Sequence, residues 1–147
     1  MYAGIFDRTG KMKHLFAYGT LMCDDVLEDV SGLVLSGVPG VLQGYRRLRV
    51  KGEHYPAIAP DENSVVDGVV YQNIPHPAWV RLDRFEGEMY ARETVQIALA
   101  SGTMLSAETY VVRAGYSDYL EETDWDFSAF LRDGKESFCK SYTGYDR

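Results

Sequence analysis

Two short segments of the sequence contain groups that could do chemistry, and the first of them contains Glu86. Segment 82–92 reads LDRFEGEMYAR, with charged and apolar residues interleaved at the predicted end of a helix. The apolar residues of this helix recur at three-residue spacing: Trp79, Leu82 and Phe85. If they face the core, Glu86 lies beside them, and partial desolvation would raise the pKa of its carboxyl towards the pH of proton transfer. The alternatives are a solvated glutamate or an ion-pair partner of Arg84 or Arg92.

The second segment is 16–21, which reads FAYGTL and predicts a strand that ends at a glycine turn before a helix. Backbone N–H groups after Gly19 would have no strand partner and could point at a ligand. The positive end of the following helix adds a favourable field for a carboxylate. The segment therefore predicts a backbone cradle for an anion, and the alternative is an ordinary strand-to-helix turn.

The sequence offers no support for other common kinds of site. It contains no GxxxxGK[ST], GxGxxG or GxSxG motif, which argues against nucleotide-phosphate sites and a nucleophile elbow. The two cysteines, Cys23 and Cys139, form no CxxC pair, and no two of the three histidines stand four residues apart. We therefore expect no metal and no cofactor, and two free thiols.

Short strands and helices must position these segments. Strands are predicted at 15–18, 41–50, 55–59, 65–74, 94–99 and 104–112. Segment 60–63 reads PDEN, which is typical of a turn, and Gly44 indicates a bulge. One helix opens at Asp24 and ends before Gly32, a second begins at Pro77 and ends at Gly87, and an aromatic helical tail follows residue 124. Clustered strands with short connections favour an α+β domain on an antiparallel sheet or partial barrel.

Composition places this domain in a broad class. The chain has 147 residues, 15 Lys and Arg against 22 Asp and Glu, and a net charge of −7. We expect a single domain over 12–147, with 1–11 as an extension that is either non-native or an extra edge strand. The acidic balance argues against nucleic-acid and anionic-membrane partners. The sequence has no apolar run of about 20 residues and no secretory signal, which predicts a cytoplasmic protein.

Three motifs, taken in order, point to one family. They are YGTL at 18–21, YPAI at 55–58 and LDxFEGxxYxR at 82–92. In this combination the chain resembles the γ-glutamylcyclotransferase-like (AIG2-like) family from His14 to Val112. The resemblance implies a small mixed, mainly antiparallel sheet or barrel with flanking helices and a cleft at its mouth.

The resemblance also implies roles for individual residues. The loop of Tyr18, Gly19, Thr20 and Leu21 would hold the amino-acid end of a γ-glutamyl group through its backbone. Glu86, directly before the glycine of FEG, would be the catalytic acid and base, and Tyr90 would line the pocket. A later tyrosine closes the site in such enzymes, and Tyr119, or failing that Tyr116, is the candidate here.

The activity implied is the cyclisation of a small γ-glutamyl substrate to 5-oxoproline with release of an amine, without metal or cofactor. One alternative is a non-catalytic domain of the same fold that binds a small ligand or a protein. Another takes Glu86 and Glu88 as an acid pair of the glycosidase kind, although their closeness in sequence does not provide the carboxylate separation that such a pair requires.

Overall fold

The computed structural model describes residues 12–141. The predicted extension at 1–11 and the last six residues of the predicted domain lie outside this range. The five strands are β1 (Lys13–Ala17), β2 (Val38–Arg49), β3 (Pro56–Ile74), β4 (Tyr90–Leu99) and β5 (Met104–Val112). The α-helices are α1 (Asp24–Ser31), α2 (His76–Glu86), α3 (Phe127–Ala129) and α4 (Lys135–Ser141). Helical turns of 3₁₀ type cover Thr20–Met22 and Ala114–Tyr119, and a π-helical turn covers Phe130–Gly134.

The five strands form a closed barrel in the order β1-β3-β2-β4-β5. Four of the five pairings are antiparallel. The barrel closes where β1 meets β5 in parallel, with Leu15 opposite Glu108. The predicted α+β class and mainly antiparallel barrel are therefore confirmed, and the barrel is complete because β1 pairs with a strand on each side.

The pairing of β2 with β3 corrects one sequence prediction. Residues 60–63 were expected to form a turn between two strands, but β3 runs through them without reversing. Gln43 pairs with Val65 and Tyr45 pairs with Pro60, so one residue of β2 lies opposite four residues of β3. Gly44 has a φ of +88°, as the predicted bulge requires. The polar residues of PDEN therefore form a bulge, because the same composition suits any irregular exposed backbone.

Helices α1 and α2 end as predicted. Gly32 closes α1 with a φ of +80°, and its N–H donates to the carbonyl of Glu28 at 2.8 Å. Gly87 closes α2, also with a φ of +80°, and its N–H donates to Asp83 O at 3.1 Å. Glycine adopts this left-handed region without the steric cost that a Cβ brings. None of the helices within residues 12–141 is long and apolar enough to cross a membrane.

Two buried clusters form the core. One cluster fills the barrel and includes Phe16, Leu42 and Ile97. Its buried residues all belong to the five strands, except one that directly follows β1. The other lies between the barrel and the helices and includes Trp79 and Leu82 of α2. Because these apolar residues of α2 are buried in the second cluster, the end of α2 is held against the mouth of the barrel.

The C-terminal aromatic segment packs onto the second cluster. It is helical, as predicted, but in three pieces: α3, the π-helical turn and α4. Gly134 is buried at the end of the π-helical turn, where a Cβ would lie 2.7 Å from Nδ1 of His54. Phe130 and Phe138 are both buried, with ring centroids 5.7 Å apart. The absence of a side chain at Gly134 therefore allows the segment to pack closely against His54.

Candidate active site

A pocket opens at the mouth of the barrel between the end of β1 and the end of α2. It encloses about 450 Å³ of empty space, including the part open to solvent. Its walls are residues 15–21, Tyr55, Pro56, Phe85, Glu86, Tyr90, Tyr110 and Phe138. The structure thus brings together, in one pocket, the loop at 18–21, Glu86 and Tyr90, which the sequence predicted as site residues.

The loop at 18–21 is a tight turn. The N–H of Met22 donates to Gly19 O at 3.0 Å, so the chain turns sharply as β1 ends. The first N–H groups of such a helical turn have no acceptor inside the turn. Gly19 is required by close packing, because a Cβ there would lie 2.7 Å from Cγ of Pro56. The YPAI segment therefore supports the loop from behind.

Glu86 is the last residue of α2 and follows Phe85, whose ring is buried. The residue as a whole keeps some accessible surface, but it forms part of the pocket wall. Burial of the carboxyl and, to a smaller extent, the negative charge of Asp83 together raise the pKa of Glu86 to about 8. A carboxyl with this pKa can accept and return a proton near neutral pH.

Asp83 lies one helical turn before Glu86 and is held by two partners. The guanidinium of Arg92 binds both of its carboxylate oxygens, at 3.0 and 3.2 Å. The hydroxyl of Tyr110 donates to Asp83 Oδ1 at 2.7 Å. Arg92 is itself fixed, since its guanidinium lies 4.5 Å from the centroid of the Trp79 ring. Because Arg92 is committed to Asp83, the alternative in which Glu86 is an ion-pair partner of Arg92 is not found in the structure.

Two of the tyrosine hydroxyls of the pocket donate to backbone carbonyls. Tyr18 donates to the carbonyl of Tyr110 at 2.6 Å, and Tyr90 donates to the carbonyl of Pro56 at 2.8 Å. Burial raises the pKa of Tyr18 well above its ordinary value, so its hydroxyl stays protonated. These bonds fix the rings, and the walls of the pocket are therefore preformed.

The structure does not place Tyr119, the tyrosine predicted to close the site, in the pocket wall. Its side chain is 55% exposed, packs against Tyr116 with ring centroids 5.4 Å apart, and does not reach the pocket. The carbonyl of Tyr119 accepts a hydrogen bond from Lys51 N at 2.8 Å, and Leu120 forms a bridge with Val50. These backbone contacts anchor the segment at the end of β2.

Three aromatic residues of the pocket were missed by the sequence reasoning: Tyr55, Tyr110 and Phe138. A signal for Tyr110 was present. The hairpin turn at Ser101-Gly102 fixes the register of β4 and β5, and this register places Tyr110 opposite Arg92 of the third motif. Tyr55 belongs to the second motif. Phe138 belongs to the predicted aromatic helical tail, but nothing in the sequence placed it in the pocket.

The alternative acid pair does not form in this structure. Glu88 is exposed and lies outside the pocket wall, so Glu86 and Glu88 do not flank a common substrate position. Among residues 12–141, no group of three or more His, Cys, Asp or Glu side chains is placed to hold a metal ion. Among the described residues of the pocket wall, Glu86 therefore provides the carboxyl group that could transfer a proton.

Comparisons with known proteins agree with this geometry. The chain matches the family model "Gamma-glutamyl cyclotransferase, AIG2-like" over residues 15–127. It is 36% identical to AIG2-like protein C of Arabidopsis thaliana over 125 residues, which is 84% of this chain and 72% of that protein. It matches a solution structure of an Arabidopsis thaliana protein with a TM-score of 0.69 and 27% identity, over 88% of this chain and 79% of the other.

A solved structure named γ-glutamyl cyclotransferase shares the fold. Its TM-score is 0.62 at 16% identity, and the match covers 91% of this chain and 83% of that one. The family match spans all three motifs and all five strands except the first residues of β1. The resemblance seen in the sequence is thereby confirmed, and the chain belongs to the γ-glutamyl cyclotransferase, AIG2-like family.

Proposed function

We propose that the protein cyclises the γ-glutamyl group of a small conjugate to 5-oxoproline and releases the amine, with Glu86 as general acid and base. One observation carries this proposal. Glu86, whose pKa is raised to about 8, lines the same pocket as the tight backbone turn at 18–21. Membership of a family named for γ-glutamyl cyclotransferase supports the assignment.

The proposed step needs no nucleophile from the protein. The α-amine of the γ-glutamyl group attacks its own γ-carbonyl carbon, and a C–N bond of the five-membered lactam forms as the amide C–N bond breaks. The attacking nitrogen loses one proton and the departing nitrogen gains one. Glu86 relays that proton, so the charges balance and the carboxyl ends in its starting state.

The raised pKa of Glu86 suits this relay. An α-amino group of a peptide titrates near about 8, and the free α-carboxylate beside the γ-glutamyl amine makes that amine more basic, so a Glu86 carboxyl at about 8 is much closer to it than an ordinary glutamate is. Proton transfer between groups of similar pKa needs little uphill energy in either direction. An ordinary glutamate, with a pKa near 4.5, would take the proton from an ammonium with difficulty.

Orientation would supply the other part of the catalysis. The loop at 18–21 would hold the α-carboxylate through backbone N–H groups and place the amine near the γ-carbonyl. The rings of Tyr18 and Tyr90, which hydrogen bonds hold in place, would restrict the substrate to a folded conformation. Good orientation of reacting groups in one molecule can lower a barrier by roughly 7–11 kcal/mol in favourable systems.

The direct test is the release of 5-oxoproline from a panel of γ-glutamyl amino acids, γ-glutamyl amines and glutathione. We expect release from at least one conjugate, and a loss of about 10²–10⁴-fold in kcat for Glu86→Gln. Glu88→Gln is the matched control, since Glu88 is exposed and outside the pocket, and it should retain activity. If no conjugate is converted at high enzyme concentration, the non-catalytic binding domain is the better assignment.

We also propose that the protein acts in the cytoplasm. Both cysteines within the described chain, Cys23 and Cys139, are free thiols. Cys23 is buried, and burial raises the pKa of its thiol to about 11, which makes it unreactive. Free thiols of this kind suit a reducing compartment. Localisation of the tagged full-length protein in its host cells would test the assignment.

A further inference from the structure

A second groove lies on the outer face of the barrel, beside the end of α2. It encloses about 790 Å³ of empty space, including the part open to solvent. Strands β4 and β5 form its floor: Val95 and Ala107 belong to the cluster that fills the barrel, and residues that alternate with them point outwards. Among these outward residues, Arg92, Glu108 and Tyr110 line the groove. The groove therefore lies outside the barrel interior.

Two buried tyrosine rings form the boundary between this groove and the pocket that contains Glu86. Among the described residues, Tyr90 and Tyr110 alone line both cavities. The hydroxyl of Tyr90 donates to Pro56 O at 2.8 Å, and that of Tyr110 donates to Asp83 Oδ1 at 2.7 Å. A molecule in the groove would therefore contact a different set of side chains from a substrate in the pocket.

The two carboxylates of the groove share one guanidinium. Arg92 binds both oxygens of Asp83 and lies 3.6 Å from Glu108. Glu108, whose side chain is 9% exposed, also accepts a hydrogen bond from the Thr94 hydroxyl. With the bond from Tyr110 to Asp83, these contacts satisfy both carboxylates without any contribution from the other cations of the groove.

Those other cations are Lys13 and Arg113, and neither side chain has a hydrogen-bond or ion-pair partner within residues 12–141. Lys13 begins β1, and Arg113 directly follows β5. Together with Arg92, they give the described lining of the groove three positive side chains against two negative ones. This local excess of positive charge stands on a chain whose net charge is −7, so it favours an anion at this place on the surface.

We propose that this groove binds a small anion that carries two negative charges, a phosphate or a dicarboxylate. Such an anion can pair with Lys13 and Arg113 together, whereas a monocarboxylate has charge for one of them. A guanidinium binds phosphate or carboxylate oxygens through two parallel N–H donors, which suits Arg113 to either group. The site does not depend on the cyclisation of a γ-glutamyl group.

Isothermal titration calorimetry of the full-length protein at low ionic strength tests the charge requirement. At about pH 7.5, inorganic phosphate and succinate carry mainly two charges, and acetate carries one. We expect phosphate or succinate to bind at least about tenfold more tightly than acetate, and added sodium chloride to weaken the binding. Preference for one of the two dianions supports the proposal and identifies the group. Equal affinity for all three probes, or binding of neither dianion, would overturn it.

A matched pair of double variants tests the two cations. Lys13→Gln with Arg113→Gln should weaken binding of the preferred dianion at least about tenfold. Lys51→Gln with Arg84→Gln removes the same charge at exposed positions outside the groove, and should weaken binding less than twofold. None of the four side chains is buried, so far-UV circular dichroism should match the wild type. Equal losses in both variants would show that overall charge holds the anion, and would refute the site.

Amide chemical shifts of the wild-type protein locate the anion without any substitution. They must distinguish the groove from the loop at 18–21, which also has backbone N–H groups that could hold an anion. We expect the preferred dianion to shift the amide signals of Lys13, Gly87 and Arg113, and to leave those of Gly19 and Thr20 nearly unchanged. Shifts confined to the loop would overturn the proposal.

Discussion

Replacing Glu86 by glutamine should stabilise the folded protein relative to the wild type, by an amount that grows from pH 4.5 to about 8 and is constant above that. The folded protein keeps the carboxyl proton up to about pH 8, whereas the unfolded chain releases it near 4.5. Between these values the folded state binds more protons than the unfolded state, so the stability of the wild type falls with rising pH. Glutamine has the shape of the protonated acid and cannot ionise, so the variant escapes this loss.

The size of the effect follows from the two pKa values. One proton bound more tightly by the folded state costs about 1.4 kcal/mol for each pH unit above the unfolded value. Over the window from 4.5 to about 8 the loss reaches about 3–5 kcal/mol. We therefore expect Glu86→Gln to exceed the wild type by a few kcal/mol at about pH 8.5, and by about 1 kcal/mol or less at about pH 5.

Urea unfolding of both proteins at these two pH values measures the effect. The fluorescence of the buried Trp79 and Trp125 reports the transition, and the difference between the free energies of unfolding is compared across pH. Glu88→Gln removes the same charge at an exposed position and should show no comparable gain. If the difference in free energy of unfolding between Glu86→Gln and the wild type stays constant from acid to alkaline pH, the argument that burial holds the proton on Glu86 is refuted.

Three further substitutions test neighbouring features of the site. Asp83→Asn removes the charge that helps to raise the pKa of Glu86, so the acidic limb of the kcat/KM profile should move to lower pH by about half a unit to one unit. An unmoved limb would show that desolvation alone sets this pKa. Gly19→Ala places a Cβ 2.7 Å from Pro56, and it should distort the binding turn and raise KM at least tenfold with little change in far-UV circular dichroism. An unchanged KM would mean that the turn does not hold the substrate. Gly87→Ala forces a φ of +80° on alanine, and should cost about 1 kcal/mol in urea unfolding. No loss would mean that the helix end relaxes at little cost.

The parts of the site that the sequence predicted are those set by local rules. The spacing of Trp79, Leu82 and Phe85 gave the buried face of α2, and Gly87 gave its end. Those two facts alone place Glu86 at the edge of the core, because helix geometry fixes each side chain relative to its neighbours. The tight turn after β1 was predicted for the same reason, from Gly19 and the residues around it.

The errors concern features that long-range contacts decide. Tyr119 was assigned to the pocket because the resemblance implies a tyrosine after the last strand, but the bridge from Val50 to Leu120 ties that segment to the end of β2, and Tyr119 does not line the pocket. Residues 60–63 form a bulge and not the predicted turn. Gly44 on the opposite strand has a positive φ, and this allows one residue of β2 to lie opposite four residues of β3. Phe138 reaches the pocket only through the seating of α4 on the barrel. None of these contacts leaves a signal in the local sequence.

Barrel closure has a consequence for how the protein folds. The strand β1 is joined to β5 by bonds between residues that are 93 positions apart, such as the one from the Thr109 hydroxyl to Phe16 O. Ordering so long an intervening chain carries a high entropic cost, and non-local strand pairing of this kind slows folding. The binding turn follows β1 directly, so the turn and Glu86 face each other only after β1 has docked. In the proposed function, catalysis therefore requires β1 to be docked on the sheet, and we expect partly folded chains that lack this docking to release no 5-oxoproline.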